Sequence, residues 1–566
     1  MKTDRRKALK ILGSFTAALL MGNAIRPSEG RAAAVSEPVG TWANVKSYGA
    51  VGDGLTDDTI AIQKAIDQSP SGCLYVPEGV YLVRNLVLKT GIHLIGAGID
   101  RTIIRAIAMI DANTINTKVV ITSAYLSSHV GISSLTVDGQ KEARASVKNK
   151  GDLGVHNISF NTTTHFEVNQ VKSINATHSG IVVFRSSHGV ISNCIILDSA
   201  SNGILGLQNC SYITIRDNYI DKTENQNCIF FATQMAKDVT EASKFVLIEG
   251  NACLHAADFG IEVGAFQTYE HPVHEYPIIR NNYVENAPNA GIALRLANHG
   301  IIDGNVVVGY SLQPRAGYYQ PGILVDGVQK FCRHVSVLNN YVIQTVFNSQ
   351  TDPNLGASAI IIEGMEYVEV KNNTVEKARG HGIYVVASVF ETATPDFPDK
   401  QRLVNHITVS ENTVLDAQLS GIYVEGFKAE SIKAIHNKIM RAGKNGIHLS
   451  GGAQTGKNAV INQNIIESAG LNGILVWKVN SVMINNNMLT NNGQKASTPE
   501  TQAGVQVTVV TGCILTGNLF NDDQTTPTQT YSMSLHNSSY VVSNMNLALG
   551  ASVPMKNYTL SNSTIV

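Results

Sequence analysis

Several features that would point to a nucleic-acid, membrane or redox protein are scarce in this sequence. Charged residues make up only 15% of the 566 residues and the formal net charge is −1, so bulk electrostatics favours neither nucleic acid nor a membrane surface as a partner. The seven cysteines are scattered without CxxC spacing, which leaves no metal or redox signature. Beyond residue 34 there is no apolar run long enough to span a bilayer. The composition is typical of a rigid scaffold for which no metal is expected.

What the sequence does contain is a unit that recurs about every 30 residues, a period typical of stacked repeats. Each unit begins with a small residue followed by Ile or Val, at Gly180, Gly203, Cys228, Gly260, Gly291, Gly322, Ala359, Gly382, Gly421, Gly446, Gly473 and Gly504. Each unit then carries an asparagine, at Asn193, Asn218, Asn251, Asn282, Asn305, Asn340, Asn373, Asn412, Asn437, Asn464, Asn487 and Asn518. Short β-branched strands without helical periodicity lie between these positions.

The repeat predicts an all-β fold, a right-handed parallel β-helix. A unit of two or three strands cannot bury its apolar face alone, so successive units must stack in parallel around a continuous core. Asparagine suits the recurring turn because it tolerates left-handed backbone geometry and its amide can hydrogen-bond to the amide one coil above. The right hand follows from the general hand of parallel crossovers.

The first 34 residues are interpreted as an export signal. Arg5 and Arg6, the apolar stretch 11–21 and the small residues 32–34 supply basic, hydrophobic and cleavable regions in order. The arginine pair resembles a twin-arginine signal, with an ordinary secretory signal as the alternative. The protein is therefore expected in the periplasm or outside the cell. The predicted regions are a signal at 1–34, an N-terminal cap at 35–110, β-helix repeats at 111–521 and a C-terminal cap or tail at 522–566.

A glycine-rich turn and a short amphipathic helix precede the repeats. The segment 45–66 contains the turn, a capping segment at 56–58 and a helix whose apolar stripe is Ile60, Ile62, Ala65 and Ile66. Such a helix is the expected plug for the exposed end of a solenoid.

This segment, together with residues 91–98 and 135–139, resembles the entry motif of the pectate-lyase-like superfamily, which includes polygalacturonase-related proteins and mannuronan epimerases. The resemblance implies a right-handed β-helix and a role with polysaccharides. It leaves the activity open, because the superfamily includes lyases, hydrolases, epimerases and non-catalytic members. Two family signatures are not matched: residues 179–184 lack the acid and imidazole of the epimerase cluster, and Asp258 lies four coils from the Gly-His-Gly of 380–382, too far for the polygalacturonase arrangement.

The alternation of the strands predicts which side chains point outward. In Gly-Ile-x-Val-x the Ile and Val point into the core, so the second and fourth residues after the glycine point out. The second positions are Val182, Leu205, Phe230, Glu262, Ala293, Leu324, Ile361, Tyr384, Tyr423, His448, Leu475 and Gln506. The fourth positions are Phe184, Leu207, Ala232, Gly264, Arg295, Asp326, Glu363, Val386, Glu425, Ser450, Trp477 and Thr508. Mixed carboxylates and exposed aromatic residues are typical of sugar binding, and the alternative for the aromatic residues is contact with an overlying loop.

Arg295, Asp326 and Glu363 occupy one position in consecutive coils and should stack about 5 Å apart. Two carboxylates at that distance favour a retaining glycosidase, whereas Glu363 and Glu425, about 9.6 Å apart, would fit inversion. The alternative interpretation is a surface ion pair between Arg295 and Asp326. The catalytic candidates are Glu262, Asp326, Glu363, Glu425 and Arg295. The substrate-binding candidates are Tyr384, Tyr423, His448 and Trp477.

The sequence thus predicts a polysaccharide-binding protein, with hydrolysis as the first choice of activity. A polysaccharide lyase or uronate epimerase is the second, in which Arg295 neutralises a substrate carboxylate; the acidic stripe would then need bound Ca²⁺. The third is a non-catalytic glycan-binding or structural envelope protein. Only the lyase interpretation involves a cofactor.

Overall fold

The computed structural model consists almost entirely of short parallel strands. It describes residues 42–70, 72–108, 119–144, 156–233, 242–265, 272–312, 319–327, 332–345, 357–389, 401–402, 404–426, 431–452, 455–495, 501–549, 553–557 and 560–565. The predicted signal at 1–34 lies outside these residues. The chain forms two compact units, the first comprising the residues up to Gly203 with Thr214–Glu224 and Gly250–Cys253, and the second comprising Ile204–Ile213, Asn225–Glu249 and Leu254–Val566.

The first unit contains a 3₁₀ helix at Val45–Tyr48 and an α-helix at Thr59–Gln68. Its strands are Ala43–Asn44, Asp53–Asp57, Gly72–Val76, Gly79–Val83, Leu86–Leu88, Ile92–Gly96, Thr102–Ala106, Val119–Ser123, Ser128–Asp138, His156–Asn161, Thr164–Ile174, Ile181–Phe184, Ser187–Ser192, Ile195–Ser199 and Tyr219–Thr223. Two more strands, Ser211–Arg216 and Ala252–Leu254, contain residues of both units. Pairings within this unit are parallel, for example Gly72–Val76 with Ile92–Gly96.

The N-terminal helix forms where the sequence predicts it. Asp57 accepts a hydrogen bond from the Thr59 amide at 3.1 Å, while the buried carboxylate of Asp58 accepts from the amides of Val51 and Gly52 and so holds the glycine-rich turn against the helix. Ile62, Ala65 and Ile66 are buried, but Ile60 is 83% exposed, so the predicted apolar stripe is one residue too wide. Ile60 points away because it lies two residues from Ile62, about 200° around the helix.

The second unit has three strands in most coils. The first strands are Ile204–Leu207, Ile229–Thr233, Ile261–Ala265, Ile292–Arg295, Ile323–Asp326, Ile360–Glu363, Ile383–Val386, Ile422–Glu425, Ile447–Ser450, Ile474–Trp477, Ala503–Thr508, Tyr531–His536 and Val553–Asn557. The second strands are Lys244–Glu249, His274–Glu275, Ile278–Arg280, Ala297–Asn298, Ile301–Asp303, Arg333–Leu338, Glu366–Lys371, Asn405–Ser410, Ile432–Ile435, Gly456–Asn462, Val479–Asn485, Thr511–Thr516 and Ser538–Asn544. The third strands are Tyr283–Ala287, Val306–Tyr310, Tyr341–Ile343, Thr374–Glu376, Thr413–Leu415, Lys438–Met440, Ile465–Glu467, Met488–Thr490, Leu519–Asn521 and Leu547–Leu549. Leu560–Ser561 and Thr564–Ile565 end the unit, and Ser388–Val389 pairs antiparallel with Gln401–Arg402.

Each first strand pairs in parallel and in register with the next. Ile261 lies opposite Ile292, which lies opposite Ile323, and these side chains are fully buried. The third residue of each of these three strands, such as Val263 or Val325, is also buried. The inward positions therefore form continuous apolar rows along the stack, and the predicted parallel β-helix with an N-terminal helix is confirmed.

The recurring asparagines form a buried ladder. The amide nitrogen of Asn373 donates to the Val337 carbonyl at 2.9 Å and to Oδ1 of Asn412 at 3.0 Å, and the same pattern recurs at Asn412 and Asn437. Every amide group is thereby paired away from water, which is the condition for burying it.

The ladder differs from the sequence prediction at both ends. Asn193 is exposed with φ 54°, and the buried position belongs to Cys194, whose amide donates to Oδ1 of Asn218 at 2.9 Å. At the other end Asn546 receives the side-chain amide of Asn518 at 2.9 Å. Parallel strands thus continue into the segment after Asp522, where the sequence pattern fades because the Gly-Ile pair is missing.

Candidate functional site

The register of the first strands brings the candidate charges together in the second unit. Arg295 lies opposite Asp326, and Asp326 lies opposite Glu363, so the three occupy one position in consecutive coils as predicted. Val386 separates Glu363 from Glu425, which places these two acids two coils apart. Consecutive parallel strands lie about 4.8 Å apart, which sets the spacing of the row.

Arg295 bridges two carboxylates. Its Nη1 lies 3.5 Å from Oε1 of Glu262 and its Nε lies 3.4 Å from Oδ2 of Asp326. The ion pair between Arg295 and Asp326 that the alternative interpretation predicts is therefore present, but the side chains of Arg295, Glu262 and Asp326 are only 14%, 6% and 10% exposed, so it is a buried pair and not a surface one. The three ions contact one another because charged groups withdrawn from water need partners that satisfy their hydrogen-bonding atoms.

The protonation preferences in this group follow from burial and charge. Burial raises the pKa of Glu262, while Arg295 and a 2.8 Å hydrogen bond from Asn227 oppose that shift. Burial by itself would lower the pKa of Arg295, but the two carboxylates outweigh it and raise that pKa. Arg295 therefore remains a cation that holds Glu262 and Asp326 in place.

Tyr384 contacts Glu425 in the next coil. Its hydroxyl donates to Oε2 of Glu425 at 3.0 Å, and burial raises its pKa. Tyr384 is only 2% exposed, so the expectation of an exposed sugar platform is wrong at this residue, and the alternative of contact with an overlying segment holds. The side chain does leave the core as the alternation requires, but other side chains cover it.

The side chains that cover Tyr384 form a second apolar cluster outside the β-helix core. Its members are Phe259, Ala290, Ala293, Leu324, Ile361, Tyr384 and Val386, with Tyr319 and Tyr423 packed against them. We call this set the outer cluster. It buries second positions that strand alternation alone would leave exposed.

Tyr319 is a site residue that the sequence prediction missed. It belongs to the long connection between Tyr310 and Pro321, and its ring meets Tyr384 edge-on at 6.2 Å. Burial raises the pKa of Tyr319 to about 12, and the negative charges of Glu363, Glu425 and Asp326 add to the shift. The charges of these three acids therefore act on its hydroxyl. In the sequence, the length of that connection is the feature that indicates a segment covering the outer face.

Three aromatic side chains stack along the coils beside Glu425. Tyr384 stacks on Tyr423 at 5.3 Å, and Tyr423 stacks on His448 at 4.4 Å. His381 lies 4.8 Å from Tyr423, so this residue of the Gly-His-Gly belongs to the site. Burial lowers the pKa of His381 to about 3 and that of His448 to about 4. Both imidazoles are neutral near pH 7.

Trp477 stands apart from this group. It is 38% exposed and occupies the position two coils beyond Glu425, with Ser450 between them. The ammonium of Lys478 lies 4.7 Å from the centroid of its ring. Of the four substrate-binding candidates, Trp477 is the one with a large exposed surface.

The described residues contain no group of three or more His, Cys, Asp or Glu side chains that could hold a metal ion. Within the same residues, no helix is both long and apolar enough to cross a membrane.

Comparisons with known proteins agree with this architecture. A family model described as "Right handed beta helix region" matches residues 153–342, 225–393, 278–456 and 402–565. Another, described as "Rhamnogalacturonase A/epimerase, pectate lyase-like", matches residues 42–240. The N-terminal fragment of gene product 12 of bacteriophage phi29 superposes with a TM-score of 0.55 at 15% identity, over 92% of this chain and 93% of that one, which is a likeness of fold.

Two curated relatives are similar over shorter stretches. Mannuronan C5-epimerase AlgE1 of Azotobacter vinelandii is 40% identical over 112 residues, which is 18% of this chain and 8% of that protein. The pre-neck appendage protein of Bacillus phage B103 is 29% identical over 245 residues, which is 39% of this chain and 27% of that protein. The chain therefore spans less than a third of the length of either relative.

Proposed function

The chain belongs to the right-handed β-helix family, and we propose that it is a polysaccharide-active enzyme that hydrolyses a glycan at the row of acids in its second unit. The observation that carries the proposal is the pair Asp326 and Glu363, in register one coil apart. Carboxyl groups about 5 Å apart are typical of retaining glycosidases. The match of residues 42–240 to the pectate-lyase-like family model supports a polysaccharide as the substrate.

The two acids take different roles. Arg295 contacts Asp326 and offsets its negative charge, so Asp326 is assigned as the nucleophile. Its carboxylate attacks the anomeric carbon while Glu363 transfers a proton to the departing glycosidic oxygen. Glu363 then takes a proton from water, the water oxygen displaces Asp326, and the sugar leaves with its configuration retained. Glu262 holds Arg295 from the other side and is a positioning residue.

The decisive experiment incubates the protein with a panel of neutral and uronate polysaccharides and follows reducing ends together with the ultraviolet absorbance of unsaturated sugars. Hydrolysis gives reducing ends without absorbance. Glu363→Gln and Asp326→Asn should each lower the rate by roughly a hundredfold or more, with little change in melting temperature. Glu411→Gln, at an exposed acid paired with Lys371, is the matched control. Full activity in both site variants would remove the acid pair from the mechanism.

A lyase or epimerase is the second candidate, favoured by the 40% identity to a mannuronan C5-epimerase over 112 residues. Both reactions need a group that neutralises the substrate carboxylate, and Arg295 already contacts two carboxylates. A bound Ca²⁺ would have to supply that charge. Absorbance that appears with the reducing ends and disappears on adding a chelator would favour elimination over hydrolysis, whereas epimerisation leaves the chain intact and is read from the changed configuration at C5 by nuclear magnetic resonance.

Binding without any turnover would favour the third candidate, a non-catalytic glycan-binding or envelope protein. Export of the protein, to the periplasm or the cell exterior, is part of the proposal, because polysaccharides of the wall or surroundings are met there.

A further inference from the structure

Arg379 is a buried cation like Arg295, but it has no carboxylate beside it. It follows the third strand Thr374–Glu376 and is only 3% exposed. Its Nη2 atom is buried without a hydrogen-bond partner, and among the residues that the structure describes Arg379 forms no ion pair. Arg295, by contrast, has its charge offset by two carboxylates. A guanidinium withdrawn from water needs a negative charge nearby, and Arg379 finds none on the described part of the chain.

Two buried hydroxyl groups on the same corner of the coils also lack partners. Tyr310 ends the third strand Val306–Tyr310, two coils before the strand that leads to Arg379. Its hydroxyl is buried without a hydrogen-bond partner. Burial raises the pKa of Tyr310 and the positive charge of Arg379 opposes that shift, so the guanidinium lies close enough to act on the hydroxyl. Ser311 is 1% exposed, and its Oγ has no partner either.

Gln344 lies in the coil between Tyr310 and Arg379. It is fully buried, and its side-chain amide donates to the Tyr310 carbonyl. We call Tyr310, Ser311, Gln344 and Arg379 the polar corner. The unpartnered groups of this corner are one charged N–H group and two hydroxyls, and all three can donate hydrogen bonds. Buried polar groups without partners in the protein call for a bound water or ion, and donors beside an uncompensated cation suit an anion.

We infer that the polar corner binds one small monovalent anion such as chloride, through Arg379 and the hydroxyls of Tyr310 and Ser311. One guanidinium carries one positive charge, so one negative charge balances it. A sulfate or phosphate ion would leave negative charge in excess in a buried place, which is costly. A carboxylate carried on a sugar ring is too large to enter, because no member of the corner is more than 3% exposed.

The anion braces two segments that reach the candidate site. The connection that begins at the polar corner carries Tyr319, and Arg379 lies two residues before His381. Tyr319 and His381 both contact Tyr384. Anion binding therefore stabilises the second unit by linking coils two steps apart, and it does so whether or not the protein hydrolyses a glycan.

The stability test replaces gluconate, which is too large for the corner, with chloride at a constant total salt concentration. At a fixed urea concentration near the midpoint, the folded-to-unfolded ratio of the wild type should rise about tenfold for each tenfold rise in chloride above the dissociation constant. Arg379→Met should abolish this dependence, and in gluconate it should be at least as stable as the wild type because the uncompensated charge is gone. Tyr310→Phe removes one donor and should weaken chloride binding about tenfold or more. Arg333→Met, at an exposed arginine, is the matched control and should keep the full dependence.

The location is tested with bromide, which has the charge of chloride and scatters X-rays anomalously. A crystal of the wild type grown in bromide should show an anomalous peak in contact with the Arg379 guanidinium and the Tyr310 hydroxyl. This map decides even if Arg379→Met does not fold. Equal stability in chloride and gluconate, with no bromide at the corner, would mean that water alone fills it and would overturn the inference. A chloride dependence that survives in Arg379→Met would overturn it as well, because the anion would then bind elsewhere.

Discussion

Replacing Arg295 with methionine should destabilise the second unit, because it leaves two buried carboxylates without their cation. Methionine fills a similar volume, so the change removes charge more than packing. Glu262 would keep the hydrogen bond from Asn227 but lose its countercharge. Removing one partner of a buried ion pair costs about 3–5 kcal/mol, and we expect a loss in that range at pH 7. Urea unfolding followed by circular dichroism measures it.

The double variant Glu262→Gln/Arg295→Met is the matched control. It removes one of the two stranded charges while keeping the shapes, so it should recover part of the loss. The pH dependence gives a second check. Burial raises the pKa of Glu262 above its ordinary 4.5, and a carboxyl whose pKa is raised by folding destabilises the folded state as the pH rises through that pKa. The loss in Arg295→Met should therefore shrink between pH 7 and pH 4.5. An equal loss at both pH values, or a double variant as unstable as the single one, would refute the reasoning.

Two further predictions concern the scaffold. Asn412→Asp replaces a buried amide that donates hydrogen bonds to Val370 and Asn437. It should lower the free energy of unfolding by roughly 3 kcal/mol or more in the same urea assay. Asn372→Asp changes an exposed asparagine and should alter that free energy by less than about 1 kcal/mol. Because folding lowers the pKa of His381 from 6.5 to about 3, its contribution is complete above pH 6.5 and is lost as the pH falls toward 3. His381→Asn can still accept a hydrogen bond from the Ser420 amide. Between pH 7 and pH 5 its free energy of unfolding should therefore fall by about 2 kcal/mol less than that of the wild type. Equal falls in the two proteins would show that the pKa of His381 is not lowered by folding.

The fold could be predicted because its signal is repeated. Most coils place Ile and a β-branched or Leu residue at the same inward positions, so an error at one coil is corrected by the next. The ladder shows the limit of this approach. Asn193 and Cys194 are adjacent, and only the hydrogen bond to Asn218 shows that the cysteine holds the buried position. The spacing of the repeat varies by more than one residue, so it cannot show which of the two neighbouring residues is buried.

The sequence predicts the order of the site residues from coil to coil, but not which of them other segments cover. The register gave the order Arg295, Asp326, Glu363, because neighbouring coils contact each other in every repeat. The exposure of Tyr384 depends instead on Tyr319, which a long connection between coils delivers to the outer face. The sequence indicates that such a connection is long, but not where it packs. For the same reason the distance of His381 from Asp258 does not show its role, because its neighbours in the structure are Tyr384 and Tyr423.

The first strands separate stability from chemistry within four residues. In Ile360–Glu363 the first and third side chains are buried in the core, the second supports the outer cluster, and the fourth is the partly exposed acid. A change at Ile360 or Ile362 disturbs the stack, whereas Glu363→Gln leaves both rows intact. Asp326 differs from Glu363 because Arg295 contacts its carboxylate. Asp326→Asn weakens that ion pair and should lower stability slightly as well as activity. A loss of activity of roughly a hundredfold or more in both variants, with unchanged stability in Glu363→Gln and slightly lower stability in Asp326→Asn, would therefore distinguish a mechanism that uses the pair from a site where either acid acts alone.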